Sequence, residues 1–237
     1  DQYVGSVDWN YGTVWIQMTR EITDGVVMRP FGPTMYKNKI TEESRLEIMA
    51  CANNSEEYIP QLLAGNIERE VSTEFSQEFY DELRDHLDDY LDQCTKVGSY
   101  QPPPYMLMNA RIERPWVNVQ KKGEWNPPHI HGGDFSCVIY GSVPEELKDE
   151  WKHPSQQGRN PTGGMIEWQY GQWAPHNMIS LGPVPPEEGD IFIFPAWLLH
   201  YVYPFNADVE RVSCSTNFFL TYESLAENSA AVSGGQE

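Results

Sequence analysis

The chain has 237 residues, 40% of them hydrophobic and 13% aromatic, enough apolar material for one large domain or a domain with an appendage. Its 35 acidic residues against 16 basic ones give a formal net charge of −19, and no Lys/Arg-rich run offsets it, which argues against binding nucleic-acid phosphates. No apolar stretch reaches membrane-spanning length, so neither nucleic acid nor a membrane is an expected partner.

Residues 1–27 form an N-terminal extension carrying Tyr3, Trp9, Tyr11 and Trp15, with room for a strand over 13–19. Phe31-Gly32-Pro33 marks a turn before a short extended piece over 34–39. Thr41, followed by Glu42 and Glu43, caps a helix over 42–52. After a break at Leu63-Ala64-Gly65-Asn66, the segment 76–96 sets Phe79, Leu83, Leu87, Tyr90, Leu91 and Cys94 at three- and four-residue steps, a helical stripe. Asp88, Asp89 and Asp92 on its other face read as a solvated surface, because no loop glycine organises them for calcium. His86 on this helix reads as a core residue, and His153 and His176, in Pro-flanked loops, as surface groups. Cys51, Cys94, Cys137 and Cys214 make no C-x-x-C pair, which fits a reduced, cytoplasmic setting. Asn53-Asn54-Ser55 matches a glycosylation acceptor, but nothing else points to secretion.

After Gln101-Pro102-Pro103-Pro104 the texture changes to short β-rich stretches broken by Gly, Pro and Asn: 105–112, 116–120, 135–140, 164–168, 178–181, 191–194, 201–203 and 211–220. Strands at this spacing predict a sandwich or barrel. The expected class is α+β, mainly β, with flanking N-terminal helices: helical support over 40–100 and a β core over 101–222. The stretch 145–160 reads as a polar insertion between strands. Together with Trp168, Tyr170 and Trp173 it is a candidate lining for a substrate mouth, the alternative being a surface loop and core aromatics. The tail over 223–237 reads as frayed.

The chemistry concentrates in two pieces. The first is Asn126-Pro127-Pro128-His129-Ile130-His131-Gly132-Gly133-Asp134. Residues two apart on a strand share a face, so His129 and His131 can aim at one ion. The second runs from Gly189-Asp190 through the apolar Ile191-Phe192-Ile193-Phe194-Pro195 to His200, then to Arg211-Val212-Ser213. His200 can complete a facial set with open positions, the arrangement used by oxygen-activating non-haem iron. Arg211 sits among apolar and small hydroxyl residues; a guanidinium inside a barrel needs an anion and prefers a bidentate carboxylate. Ser213 shares its face. The competing reading pairs Arg211 with a structural acid, Glu113 or Glu210.

In this order, H-x-H, G-D-x-x-x-F-P, His and R-x-S, the sequence resembles the 2-oxoglutarate/Fe(II)-dependent oxygenases, and within them the prolyl-hydroxylase-like branch of bacteriophages, notably cyanophages. Trp116-Val117-Asn118, Val138-Ile139-Tyr140, Pro204 and the run to Phe218 add to it, as do Phe31-Gly32-Pro33 and Leu63-Ala64-Gly65, so that it spans about residues 28–222. The resemblance implies a double-stranded β-helix (jelly roll) with Fe(II) near one open end, His129 as first ligand and His200 as the distal one. It implies 2-oxoglutarate chelating the metal, its far carboxylate on Arg211 with help from Ser213 and Tyr140, and Asn118 at the near carboxylate; Tyr140 as plain barrel core is the alternative. The reaction implied consumes O2, decarboxylates 2-oxoglutarate to succinate and CO2, and hydroxylates a C–H of an unknown protein or small-molecule substrate, in a host's cytoplasm if phage-encoded. The family usually has Asp or Glu where this chain has His131. Three neutral imidazoles leave the site at +2 rather than +1; Asp134 is the carboxylate that could take the place, and strand periodicity favours His131. Two other classes stay open: a three-histidine metalloenzyme, with zinc or iron, that does not use 2-oxoglutarate, and a non-catalytic jelly roll such as a virion or binding protein.

Overall fold

A computed structural model of the chain describes residues 32–54, 65–72, 74–98, 100, 106–152, 162–171 and 179–224. The extension over 1–27, His153, Trp173, His176 and the tail beyond 224 lie outside the described residues. The elements are β1 (Tyr36–Lys39), α1 (Glu42–Asn54), β2 (Arg69–Val71), α2 (Gln77–Lys96), β3 (Met106–Ile112), β4 (Trp116–Gln120), β5 (Asn126–His129), β6 (Phe135–Ser142), α3 (Glu145–Trp151), β7 (Ile166–Tyr170), β8 (Ile179–Val184), β9 (Asp190–Pro195), β10 (Leu199–Val202) and β11 (Arg211–Ser224).

Two antiparallel sheets face each other. The larger has the order β1-β9-β6-β11-β4-β2, with β3 pairing the far half of β11; the smaller is β5-β10-β7-β8. From β4 to β11 the chain winds back and forth between the two sheets, with β7 and β8 alone following one another in the same sheet, the winding of a double-stranded β-helix.

Alternation along single strands explains the layering. In β9, Ile191 and Ile193 turn outward to the helices, while Phe192 and Phe194 turn inward between the sheets. β6 repeats this with Ile139 outward and Val138 and Tyr140 inward. In β4 and β11 the outward residues are Val117, Val119, Val212 and Cys214. That outer face is covered by α1 and α2. The α2 stripe Phe79, Leu83, Leu87, Tyr90, Leu91 and Cys94 is buried throughout, Ser76 caps the helix by accepting from the Phe79 N–H at 3.1 Å, and Thr41 does the same for Ser44 at 3.3 Å. The acidic face of α2 is a solvated surface: Asp92 pairs with Lys96 at 2.6 Å and Asp89 accepts from the Tyr36 hydroxyl at 2.8 Å. His86 is half-buried, against that same hydroxyl at 3.1 Å. All four cysteines are buried and unbridged. Among the described residues no helix is long and apolar enough to cross a membrane.

Leu87 is fully buried in this layer. Leu87→Ala is expected to destabilise the protein by about 2–5 kcal/mol, the range for emptying a core leucine site. Urea unfolding checks this; a loss below about 1 kcal/mol would mean that the helix layer collapses around the gap.

The Gly189-Asp190 turn is structural. Buried Asp190 receives Lys37 Nζ at 3.1 Å and Lys39 Nζ at 2.8 Å and the Glu187 N–H at 3.0 Å, fastening β1 to β9. The polar insertion is corrected in part: its first half is the helix α3, whose Leu147 is buried against Gly164.

Candidate metal centre and diacid pocket

His129 ends β5 and His200 is the second residue of β10; the two are direct partners in the antiparallel ladder. Their rings face each other with centroids 4.3 Å apart. His131 lies past the end of β5, in the connection to β6, so strand periodicity is not what positions it. Its N–H donates to the Ala196 carbonyl at 2.9 Å, and the Ala196 N–H donates to the Asp134 carbonyl at 3.1 Å. This stitching swings the imidazole onto the other two: His131 Nε2 is 3.2 Å from His200 Nε2, and one ring nitrogen from each of the three histidines lies within 4.8 Å of the others. Gly133 permits the tight path, with φ at +91° and a Phe218 carbonyl 2.9 Å from where a Cβ would stand. Asp134 is engaged elsewhere: its Oδ2 accepts from the Leu220 N–H at 2.7 Å.

The ring orientations suit a cation. His129 Nδ1–H donates to the Pro127 carbonyl at 2.7 Å and His200 Nδ1–H to the Leu198 carbonyl at 2.8 Å. A carbonyl only accepts, so these bonds fix the proton on Nδ1 and leave the Nε2 lone pair free. Burial pushes His200 down to about 3 and His131 to about 4, with neighbouring His129 adding to both, and burial lowers His129 as well. The rings are neutral at neutral pH, the state in which imidazole ligates metal. Phe194 stands against His200 at 4.8 Å between centroids and Trp116 near His131 at 6.0 Å, giving the cluster an apolar wall.

From the histidines a narrow cleft runs inward past Trp116, Asn118 and Val138 to Ser213 and Arg211. Arg211 is 1% exposed. Its Nη1 donates to the Gly164 carbonyl at 2.7 Å and its Nη2 to Ser213 Oγ at 3.4 Å, while Nε has no partner. The Tyr140 ring lies 5.3 Å from the guanidinium carbon, and its buried hydroxyl is unpaired. Burial lowers the Arg211 pKa and raises that of Tyr140 to about 12, the Arg211 charge opposing the latter.

Neither acid offered as a structural partner for Arg211 serves. Glu113 accepts from Asn217 Nδ2 at 2.7 Å and Glu210 is exposed; among the described residues no ion pair reaches Arg211. Asn118 is buried with an unpaired Oδ1 and sits opposite Ser213 in the ladder, which in turn faces Tyr140. The unpaired donors Arg211 Nε and Tyr140 hydroxyl, and a neutral three-nitrogen cluster at the mouth, fit a divalent metal with an anionic co-ligand.

Two expected parts of the mouth are elsewhere. Trp168 is in the core between the sheets, against Phe192 and Phe194, and α3 does not line the cleft. Sequence reasoning missed Gly65, Glu70 and the Gly164 carbonyl, whose approach to the site depends on long-range pairing, and it left Asn126 without a role.

Residues 114–217 match the family described as "Putative 2OG-Fe(II) oxygenase". No curated protein matches the sequence. Among solved structures the chain is similar to a viral collagen prolyl hydroxylase of Paramecium bursaria Chlorella virus-1, solved with 2OG, at 13% identity and TM-score 0.48 over 78% of this chain and 94% of that one. It is also similar to a Trichoplax adhaerens prolyl hydroxylase solved with a hypoxia inducible factor peptide (14%, TM-score 0.44, 84% and 87%) and to a Pseudomonas putida prolyl-4-hydroxylase (12%, TM-score 0.45, 78% and 91%).

Proposed function

We propose that this chain, a 2-oxoglutarate/Fe(II)-dependent oxygenase by the family of its residues 114–217, holds iron on His129, His131 and His200, takes 2-oxoglutarate on Arg211, and hydroxylates a C–H bond of a separate protein or small-molecule substrate. The observation that carries the residue assignment is the paired geometry: three neutral imidazoles within 4.8 Å at the mouth, and a buried, acid-free guanidinium at the far end of the same cleft. Each half lacks a partner that the other half's ligand brings.

The iron, with 2-oxoglutarate and O2, supplies the oxidising chemistry, and succinate and CO2 are the co-products. The chain's own part is positioning and exclusion. Arg211 and Ser213 grip the distal carboxylate, with the Tyr140 hydroxyl as a further donor. Asn118, one strand over, contacts the near carboxylate. Carbonyls of Pro127 and Leu198 hold the ligand rings in one tautomer. Phe194, Val138 and Trp116 keep the cleft wall dry, which strengthens every charge interaction inside it.

The test is anaerobic titration followed by turnover. One equivalent of Fe(II) per chain is expected, a visible absorption change on adding 2-oxoglutarate under nitrogen, and succinate release that requires Fe(II), O2 and 2-oxoglutarate together. Tight metal binding with no response to 2-oxoglutarate would overturn the reading in favour of a three-histidine metalloenzyme of another kind.

A further inference from the structure

We propose that Glu70 and Asn126 form a second recognition point in the same cleft, one that takes a cationic nitrogen of the substrate, an ammonium or a guanidinium. The proposal deepens the oxygenase reading and rests on it for which molecule counts as substrate.

Glu70 lies on the three-residue strand β2, directly opposite Asn118 of β4, and its side chain lines the cleft that holds the histidines. It is 6% exposed, and among the described residues no side chain hydrogen-bonds or ion-pairs with its carboxyl. Asn126 Oδ1, at the start of β5, is likewise buried without a partner. Both oxygens lie against the same place on the chain: a Cβ built on Gly65 would stand 2.5 Å from Asn126 Oδ1 and 3.1 Å from Glu70 Oε1. No side chain fits at residue 65 without displacing them.

Along the larger sheet, Glu70, Asn118, Ser213 and Tyr140 are successive cross-strand partners. Buried unpaired donors lie on Arg211 and Tyr140; buried unpaired amide oxygens lie on Asn118 and Asn126, beside Glu70, and on Gln120, opposite Arg211. A dicarboxylate belongs with Arg211 and is repelled from Glu70. A cation beside Glu70 gains a charge-assisted partner there. Burial, with Glu124 nearby, raises the Glu70 pKa to about 7, the mark of a carboxyl with no cation of its own. The formal charge of −19 favours the approach of cations over anions or neutral molecules.

The probes are L-lysine and L-arginine with their uncharged counterparts L-norleucine and L-citrulline, titrated calorimetrically into the Fe(II)- and 2-oxoglutarate-loaded protein under nitrogen. The expected result is binding of each cation at least tenfold tighter than its counterpart. Glu70→Gln, which keeps shape and removes charge, is expected to bring that preference to about one. Gly65→Ala, which displaces both oxygens and keeps the charge, is expected to do the same, and thermal unfolding checks that both variants are folded. Equal or undetectable binding of all four probes to the wild-type protein, or a preference that survives Glu70→Gln, would overturn the proposal. Titration of the wild type with 2-oxoglutarate alone reports on the oxygenase reading separately: failure there with the cation preference intact sinks that reading and leaves the cation site standing.

Discussion

Replacing His200 with alanine is expected to lower Fe(II) affinity by about a hundredfold or more, while replacing His131 with aspartate keeps the ion bound. Loss of an outer-shell partner alone typically costs 10- to 100-fold, and His200 is a ligand in this reading. It is buried, its Nδ1–H is pinned by the Leu198 carbonyl at 2.8 Å, and it faces His129 across the β10–β5 ladder. Among the described residues no further ligand group joins the cluster to replace it. His131 differs in kind. It sits on a connection, tethered by its main-chain N–H to Ala196, so a shorter side chain can reach the ion from the same backbone position. A carboxylate there lowers the site charge by one and suits a hard cation better than a third imidazole. Calorimetry under nitrogen with metal analysis checks both variants. Undiminished affinity in His200→Ala would remove the histidine cluster as the iron site. Failure of His131→Asp to hold iron would mean that the third imidazole itself is required.

The parts of this arrangement that repeat with a period were legible in the sequence. The α2 stripe repeats every three or four residues, and the β9 run puts isoleucines on one face and phenylalanines on the other; both are dictated by local geometry. The convergence of His129 and His200 was readable because each lies at the end of a strand-like run with turn residues beside it. His131 was placed for the wrong reason. The strand stops at His129, and hydrogen bonds to the Ala196 turn bring the ring into line, a contact between segments 65 residues apart that no spacing rule encodes. β5 itself contains Pro127 and Pro128, which are tolerated because β5 is the edge of the smaller sheet, where a missing donor costs nothing. α3 hid in a polar stretch because a seven-residue helix with Leu147 buried offers too few apolar positions to show a stripe. Glu70 carried no signal. A lone acid in Arg69-Glu70-Val71 becomes a cleft residue only because β2 pairs with β4, and that pairing is a property of the fold.

Arg211→Met is expected to weaken 2-oxoglutarate binding by about two to four orders of magnitude, the equivalent of the 3–5 kcal/mol typical for breaking a buried ion pair, while leaving the ligand-free protein at least as stable as before. The two halves of this expectation have one cause. Without a diacid, Arg211 is a charge held out of water with Nε unpaired and only a carbonyl and a serine hydroxyl for company. Replacing such a charge by an apolar chain of similar length is commonly neutral or favourable by about 1–4 kcal/mol. With the diacid bound, the same guanidinium gains the bidentate partner that its planar fork is built for. Ligand should therefore stabilise the wild type and not the variant: at a hundredfold excess over Kd, mass action gives about 2.7 kcal/mol. Thermal unfolding of the metal-loaded proteins with and without 2-oxoglutarate measures both terms in one experiment. If the variant unfolds at lower temperature without ligand yet gains as much from 2-oxoglutarate as the wild type, the guanidinium is a structural post bonded to Gly164, and the diacid binds elsewhere.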